Sequence, residues 1–253
     1  MSSKLWEKDN YINDNITYLF NKDIIEYDMK DAGLSLIQDF NLLSKDDINH
    51  LKELGKKKRV VEIGKLQKKN DNLKNGLKEA FQMARQMFFE LNNLDENDII
   101  SVKKDAIFTT KYCQRTKFEK HIDFRPKHSY TSYIRLDKRL ELYYSPEELS
   151  IKGLSDEALA YHEKYMINFL KLYFKKMETS DNVTVIDFTR AFIDKYKARE
   201  LELGYYRCFN PKSNFNVIDD DTKYMQYWED EKDQVDISYN FYNVLLKLIK
   251  IPL

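Results

Sequence analysis

The spacing of apolar residues along the chain predicts several amphipathic helices. Apolar side chains recur at three- and four-residue steps over residues 77–94, which is typical of a helix with one buried face. Shorter periodic segments predict helices over residues 31–40 and 46–54, and Ser44 precedes the second of these as a helix cap. Residues 11–20 are expected to be helical or irregular.

Runs of β-branched and aromatic residues predict short strands. Residues 23–28 form one run, and residues 99–112 form a strand or a hairpin whose turn lies at Lys103-Lys104. Alternation between residues 118 and 151 completes the sheet. Two further helices are predicted, over residues 156–177 and 187–202. The expected fold class is α+β, with a small antiparallel sheet packed by helices and a mainly helical C-terminal part.

Composition limits the chemistry that the chain can carry out. Of its 253 residues, 42% are hydrophobic, which is enough for a buried core. No apolar run reaches about 18 residues and no leader peptide is expected, so we predict a cytoplasmic protein without a membrane span. With only Cys113 and Cys208, neither a disulfide framework nor a zinc site is expected. A bound metal would have oxygen ligands, which favours Mg²⁺ or Mn²⁺.

Charge is balanced overall but distributed unevenly. Residues 52–78 contain ten cations and three acids, a local net charge of +7, although the formal net charge of the chain is zero. Such a segment fits a phosphate backbone, and it fits a solvated helical face equally well, so both interpretations stay open. The acidic stretch over residues 219–236 is predicted to be a solvated loop.

Two aspartates stand out because they lie in or beside apolar, strand-forming runs. Asp28 follows Ile24 and Ile25 within one run, and Asp105 precedes Ala106 in another. A buried carboxylate is costly unless a metal, a cation or hydrogen bonds compensate its charge. The two aspartates are therefore candidate metal ligands. In the alternative interpretation, Asp28 caps the following helix and Asp105 pairs with a neighbouring lysine across the turn.

Five short segments, in order along the chain, carry a resemblance to a known family. Residues 27–37 retain the aspartate, a serine and the aliphatic residues of its first palm motif. Residues 101–108 align without gaps on its second catalytic motif, Tyr-Gly-Asp-Thr-Asp-Ser-Ile-Phe. Shorter similarities follow the same order, at residues 81–87, 118–120 and 149–154. With these motifs the chain resembles the palm and thumb core of family B DNA polymerases.

The resemblance implies both a domain organisation and a set of site residues. Residues 1–154 would form a palm-like domain with a short basic fingers-like excursion at about 44–78, and residues 155–253 a helical thumb-like domain. Asp28 and Asp105 fall on the catalytic metal ligands of the family, and the backbone carbonyl of Met29 would supply a further oxygen to Mg²⁺ or Mn²⁺. The lysines expected to contact nucleic acid or phosphate are Lys65, Lys68, Lys69, Lys74, Lys78, Lys103, Lys104 and Lys152.

Departures from the family pattern separate two hypotheses. Lys103 takes the place of the first aspartate of the second motif, and the nucleotide-binding motif of the fingers has no clear counterpart. The retained aspartates favour a minimal nucleotidyltransferase, without an exonuclease domain, that acts on a primer with template and nucleoside triphosphates. Lys103 favours a polymerase-derived protein without catalysis, which binds nucleic acid or a protein partner. A bias towards Lys, Asn, Ile and Tyr suggests an AT-rich coding genome. The trimmed polymerase core that the resemblance implies would suit a virus or a mobile element, and a viral protein would act in the host cytoplasm.

His121 and Asp123 form a further candidate pair, because alternate residues of a strand face the same side. A surface or hydrogen-bonded pair is the simpler interpretation, and a catalytic or metal-binding role is the alternative.

Overall fold

The predicted α+β class is confirmed by the computed structural model, which describes residues 4–136, 138, 140–153, 167–198 and 200–201. The described residues form two antiparallel sheets and helices, in two compact units. The first unit comprises residues 4–16 with Lys22–Tyr130, and the second comprises Thr17–Asn21 with the described residues from Thr131 onwards. The division at residue 154 into palm-like and thumb-like domains stays a prediction.

Nine strands occur in the described residues. In chain order they are β1 (Asn10–Ile12), β2 (Tyr18–Leu19), β3 (Ile24–Met29), β4 (Ile99–Lys103), β5 (Ala106–Thr109), β6 (Phe124–Tyr130), β7 (Ser132–Arg135), β8 (Glu141–Tyr144) and β9 (Leu149–Lys152). The first unit holds the sheet with the order β1-β4-β5-β3-β6, and the second holds the sheet β2-β7-β8-β9. Every neighbouring pair is antiparallel.

Four α-helices lie between β3 and β4 in the first unit, and two follow β9 in the second. A short 3₁₀ helix (Leu5–Glu7) precedes α1 (Ala32–Asp39), α2 (Lys45–Glu53), α3 (Lys56–Lys69) and α4 (Asp71–Leu91) in the first unit, while α5 (Asn168–Thr179) and α6 (Asn182–Ala198) belong to the second. The Ser44 hydroxyl accepts a hydrogen bond from the Asp47 backbone N–H, as its predicted cap role requires. Asn70 caps α4 in the same way through Leu73, which separates α3 from α4. Within the described part of the chain, no helix is long and apolar enough to cross a membrane.

The core of the first unit lies between α4 and the five-stranded sheet. The apolar stripe of α4 is buried, as its spacing predicted, and Phe88 is completely inaccessible to solvent. The Phe88 ring packs against Tyr27 of β3 at a centroid distance of 5.3 Å and against Phe124 of β6 at 4.7 Å. Because Tyr27 alternates with Glu26 and Asp28 along β3, the acidic residues point to the opposite face of the sheet.

In the second unit, two tyrosines donate to one oxygen of a buried carboxylate. Glu141 on β8 accepts hydrogen bonds from the hydroxyl groups of Tyr133 at 3.2 Å and Tyr143 at 2.9 Å. Burial and the nearby carboxylate raise the pKa of Tyr133, so this phenol stays protonated as a donor.

Several predicted element boundaries differ from the structure. The expectation of helix or irregular chain over residues 11–20 is wrong where β1 and β2 form, because both strands are short and depend on pairing with β4 and β7. The long helix begins earlier than predicted, at Asp71, and ends at Leu91. The β4–β5 turn consists of Lys104 and Asp105, one residue later than predicted.

The C-terminal predictions are covered only in part. α5 (Asn168–Thr179) overlaps the helix predicted over residues 156–177, and α6 (Asn182–Ala198) overlaps the one predicted over residues 187–202. Residues 154–166 and the acidic stretch over residues 219–236 lie outside the described residues.

Candidate functional site

Pairing between β3 and β5 brings the two predicted aspartates together. Asp28 on β3 is opposite Ala106 on β5, and Asp105 immediately precedes that strand. The Asp105 carbonyl accepts a hydrogen bond from the Met29 N–H at 2.9 Å. Asp28, Met29 and Asp105 all line one cavity. The interpretation of Asp28 as a helix cap is not supported, because the residue at the cap position of α1 is Asp31.

A buried arginine fixes the turn that carries Asp105. Lys104 adopts a left-handed backbone conformation with φ of 51°, and its N–H donates to the Asp9 carbonyl at 2.6 Å. The fully buried Arg85 guanidinium donates to the Lys104 carbonyl at 2.7 Å, to the Trp6 carbonyl at 2.8 Å and to the Asp9 carboxylate at 2.9 Å. These bonds tie the N-terminal segment to the turn and hold the backbone of Asp105 in place.

The pKa of Asp105 is perturbed by burial and by the neighbouring Asp28 carboxylate. Burial raises the pKa of Asp105, and the negative charge of Asp28 raises this pKa further. The ammonium groups of Lys104 and Lys127 act in the opposite direction, but the net shift is upward. A cation placed between the two aspartates would relieve this repulsion.

A lysine on β6 is part of the site. The Lys127 ammonium lies 3.6 Å from the Asp28 carboxylate and 3.5 Å from that of Glu26. Glu26 is almost completely buried, and it also accepts a hydrogen bond from the Tyr130 hydroxyl at 3.1 Å. Neither Glu26 nor Lys127 was predicted from the sequence as a site residue. A signal was available, since Glu26 and Asp28 alternate along a strand and therefore share one face.

The cavity at the aspartates has a basic wall. Its volume is about 410 Å³, and its lining includes one face of α3. That face consists of Lys56, Arg59, Val60, Ile63, Gly64 and Gln67, which recur at three- and four-residue steps. The Arg59 guanidinium lies 4.0 Å from Asp31, while its Nε atom is buried and makes no hydrogen bond to any described residue. A buried donor of this kind is suited to an anionic ligand.

Of the predicted phosphate-binding lysines, Lys104 lines the cavity, and its ammonium lies 4.8 Å from the Phe81 ring centroid. The others lie outside the cavity lining: Lys65, Lys68 and Lys69 on α3, Lys74 and Lys78 on α4, Lys103 on β4 and Lys152 on β9 in the second unit. Lys65 pairs with Glu62 at 3.1 Å. Their phosphate contacts stay predictions, and the cavity adds Lys56, Arg59 and Lys127 as cations that the sequence analysis had not selected for the site.

The donor set at the turn fits a hard divalent cation. Asp28 and Asp105 offer two carboxylates, and Met29 was predicted to add a carbonyl oxygen. Mg²⁺ uses one or two carboxylates in such sites and keeps waters or takes phosphate oxygens for its other positions. Among the described residues, no group of three or more His, Cys, Asp or Glu side chains could hold a metal ion. A cation held by these two carboxylates would need further ligands, such as waters or phosphate oxygens.

His121 has a partner other than the predicted one. Its backbone N–H and that of Ile122 donate to one oxygen of the Asp39 carboxylate, at 2.8 and 3.0 Å. The His121 ring nitrogen Nδ1 bonds to the other carboxylate oxygen. Asp39 therefore anchors the segment before β6 to the end of α1, and a hydrogen-bonded structural pair is the interpretation that holds, with Asp39 in place of Asp123.

Together, the fold and site define an α+β protein with two adjacent carboxylates in a basic cavity. A sequence model of the family described as Bacteriophage PBS1 gene 130 protein matches residues 1–253, and the chain belongs to this family. This phage family confirms the predicted viral source. No curated protein matches the chain.

A solved structure similar to the chain is that of the family B DNA polymerase from the hyperthermophilic archaeon Pyrobaculum calidifontis. The TM-score is 0.43 and the sequence identity is 12%. The similarity covers 79% of this chain and 36% of the polymerase chain, so this chain spans only that share of the polymerase.

The Arg85 clamp can be tested by stability. We expect Arg85→Met to lower the free energy of unfolding by about 3 kcal/mol, because the change removes a fully buried guanidinium and leaves two partly buried carbonyl groups and Asp9 without their charged donor. Urea unfolding measures this difference. Arg115→Met is the control, since Arg115 is exposed, and it should change the free energy by less than about 0.5 kcal/mol. Equal effects of the two substitutions would contradict the clamp.

The raised pKa of Asp105 predicts a pH-dependent penalty. Between the ordinary aspartate pKa of about 3.9 and the raised folded value, the folded state binds more protons than the unfolded state, so stability falls as pH rises. Asp105→Asn removes this charge, and its free energy of unfolding should exceed that of the wild type increasingly as pH rises from about 4 towards 7. Unfolding curves across this range test the difference. The exposed Asp23→Asn control should show no such trend, and a trend of opposite sign for Asp105→Asn would refute the assignment.

Proposed function

We propose that the protein binds nucleic acid at the Asp28–Asp105 cavity and, with a divalent cation, catalyses template-directed nucleotidyl transfer to a primer. The observation that carries the proposal is that one cavity is lined by both aspartates and by Lys56, Arg59, Lys104 and Lys127. Carboxylates for a cation and a basic surface for phosphates are the two components that phosphoryl-transfer chemistry requires.

Each component has an assigned role. Asp28 and Asp105 would hold the cation, with the Met29 carbonyl as a further ligand. With a divalent cation held by these residues, the site would supply positive charge to an attacking hydroxyl group and to the phosphates. Arg59 would donate to a phosphate oxygen through its Nε, which is buried and has no hydrogen-bond partner among the described residues, and Lys56 lies one helical turn before it on the same face of α3.

The family and the motifs are consistent with this role. The chain belongs to a phage protein family, and the segments around Asp28 and Asp105 resemble the palm motifs of family B polymerases. On this proposal the protein acts in the host cytoplasm, its cofactor is Mg²⁺ or Mn²⁺, and its ligands are a primer with template or a single strand, together with a nucleoside triphosphate.

A second candidate function is nucleic-acid binding without catalysis. The observation that favours it is the ion pair between Lys127 and Asp28, together with Lys103 at a position where the resemblance expects a carboxylate. A cationic side chain on a metal ligand lowers the affinity for the metal. In this alternative the cavity binds a phosphate backbone or a protein partner, and no bond is made or broken.

Primer extension and oligonucleotide binding together distinguish the two functions. We expect the full-length protein to extend a labelled primer in the presence of Mn²⁺ or Mg²⁺, and Asp28→Asn or Asp105→Asn to reduce the rate by about a hundredfold or more. Fluorescence anisotropy of the labelled oligonucleotide gives binding separately.

Asp23→Asn, at an exposed aspartate before β3, is the control and should extend the primer at the wild-type rate. Binding without extension would select the non-catalytic function. If the protein neither binds the oligonucleotide nor extends the primer, nucleotidyl transfer and nucleic-acid binding are both wrong, and only the protein-partner form of the second function is left.

A further inference from the structure

A bulge in β6 places Lys127 at the carboxylates of β3. Glu26 pairs with His128 and the next residue, Tyr27, pairs with Pro126, so Lys127 is the extra residue of β6 at this point. Bulges redirect a side chain and are frequent beside functional sites. Pro126 has no N–H to donate to the strand ladder, which suits it to an irregular position on an edge strand. The position of the Lys127 ammonium is thus built into the sheet.

The depth of the three charged groups differs. The Lys127 side chain is 42% exposed, whereas the side chains of Asp28 and Glu26 are 20% and 2% exposed. The ammonium therefore reaches inward to deeper carboxylates from a stem that is open to solvent. A lysine has a flexible stem and three donors, so it can leave one acceptor for another without a change in the backbone.

A divalent cation and Lys127 would compete for the same carboxylate. The ammonium lies 3.6 Å from the Asp28 oxygen, and a cation bound to Asp28 would bring two positive charges close together in a partly buried site. Lys127 also lines the cavity that holds Arg59 and Lys56, so a displaced ammonium stays within reach of a ligand there.

We propose that Lys127 is an internal competitor for the divalent cation at Asp28, and that its ammonium transfers to a phosphate of the nucleic-acid ligand when the cation binds. The inference rests on the proposed function. It makes the two binding events cooperative, because the cation frees a phosphate-binding group and the phosphate removes a competitor of the cation. By linkage, each ligand must then tighten the binding of the other.

Manganese binding to the full-length protein tests the inference. Electron paramagnetic resonance of free Mn²⁺ gives the affinity, with and without a single-stranded oligothymidylate whose own Mn²⁺ binding is measured separately. We expect Lys127→Met to bind Mn²⁺ about fivefold more tightly than the wild type, the factor that corresponds to losing a partly exposed ion pair. The oligonucleotide should increase the Mn²⁺ affinity of the wild type severalfold, and it should increase that of Lys127→Met by a clearly smaller factor.

Matched variants exclude trivial explanations. Lys127→Gln should bind Mn²⁺ as tightly as Lys127→Met does. Lys127→Arg keeps the charge, so its Mn²⁺ affinity should stay near that of the wild type. Lys120→Met, which removes an exposed lysine outside the cavity lining, should also bind Mn²⁺ like the wild type. Mn²⁺ affinity in Lys127→Met that is equal to or weaker than that of the wild type overturns the inference. If the wild type binds Mn²⁺ and Asp28→Asn does not, the cation site of the proposed function still stands. Absence of Mn²⁺ binding in every variant overturns both.

Discussion

The hydrogen-bonded register between β3 and β5 is the constraint on which the site depends. It sets Asp28 opposite Ala106 and brings the Asp105 carbonyl to the Met29 N–H. A slip of one residue would move Asp28 to the face that packs on α4, where Tyr27 now contacts Phe88. The buried aromatic residues therefore enforce the register, and the register in turn positions the carboxylates. Aromatic packing on one face of the sheet thus fixes the position of the carboxylates on the other face.

Charge is balanced around this register by residues from separate parts of the chain. Arg85 from α4 donates to the Lys104 carbonyl in the β4–β5 turn, and the Lys127 ammonium from β6 compensates the charges of Asp28 and Glu26. Asp105 still carries an upward pKa shift, so folding retains an electrostatic cost at this point. Burial is the largest cause of this shift and the charge of Asp28 adds to it, and perturbed carboxylates of this kind are frequent at sites that bind a ligand.

Sequence reasoning succeeded where the signal is local. The apolar stripe of α4, the Ser44 cap and the run that became β3 each act within a few residues, and all are present in the structure. Motif similarity also selected Asp28 and Asp105, which the fold brings to one cavity.

It failed where distant residues must meet. The short strands β1 and β2 form only through their partners, and nothing in the local sequence marks Arg85 as a buried guanidinium. The bulge at Lys127 depends on the register of β6 against β3, and the choice of Lys56 and Arg59 over the other cations of the basic segment depends on which face of α3 meets the cavity. Composition revealed that the segment is basic, but tertiary packing decides which of its cations belong to the site.

On the proposed function, Asp28 and Asp105 together hold a divalent cation. Anomalous diffraction from crystals soaked in Mn²⁺ is the decisive measurement, because it locates the ion and the lysine in the same crystal. We expect an anomalous peak between the two carboxylates, with the Lys127 ammonium withdrawn from Asp28. No peak at this position, with Lys127 still paired to Asp28 at saturating Mn²⁺, would contradict it.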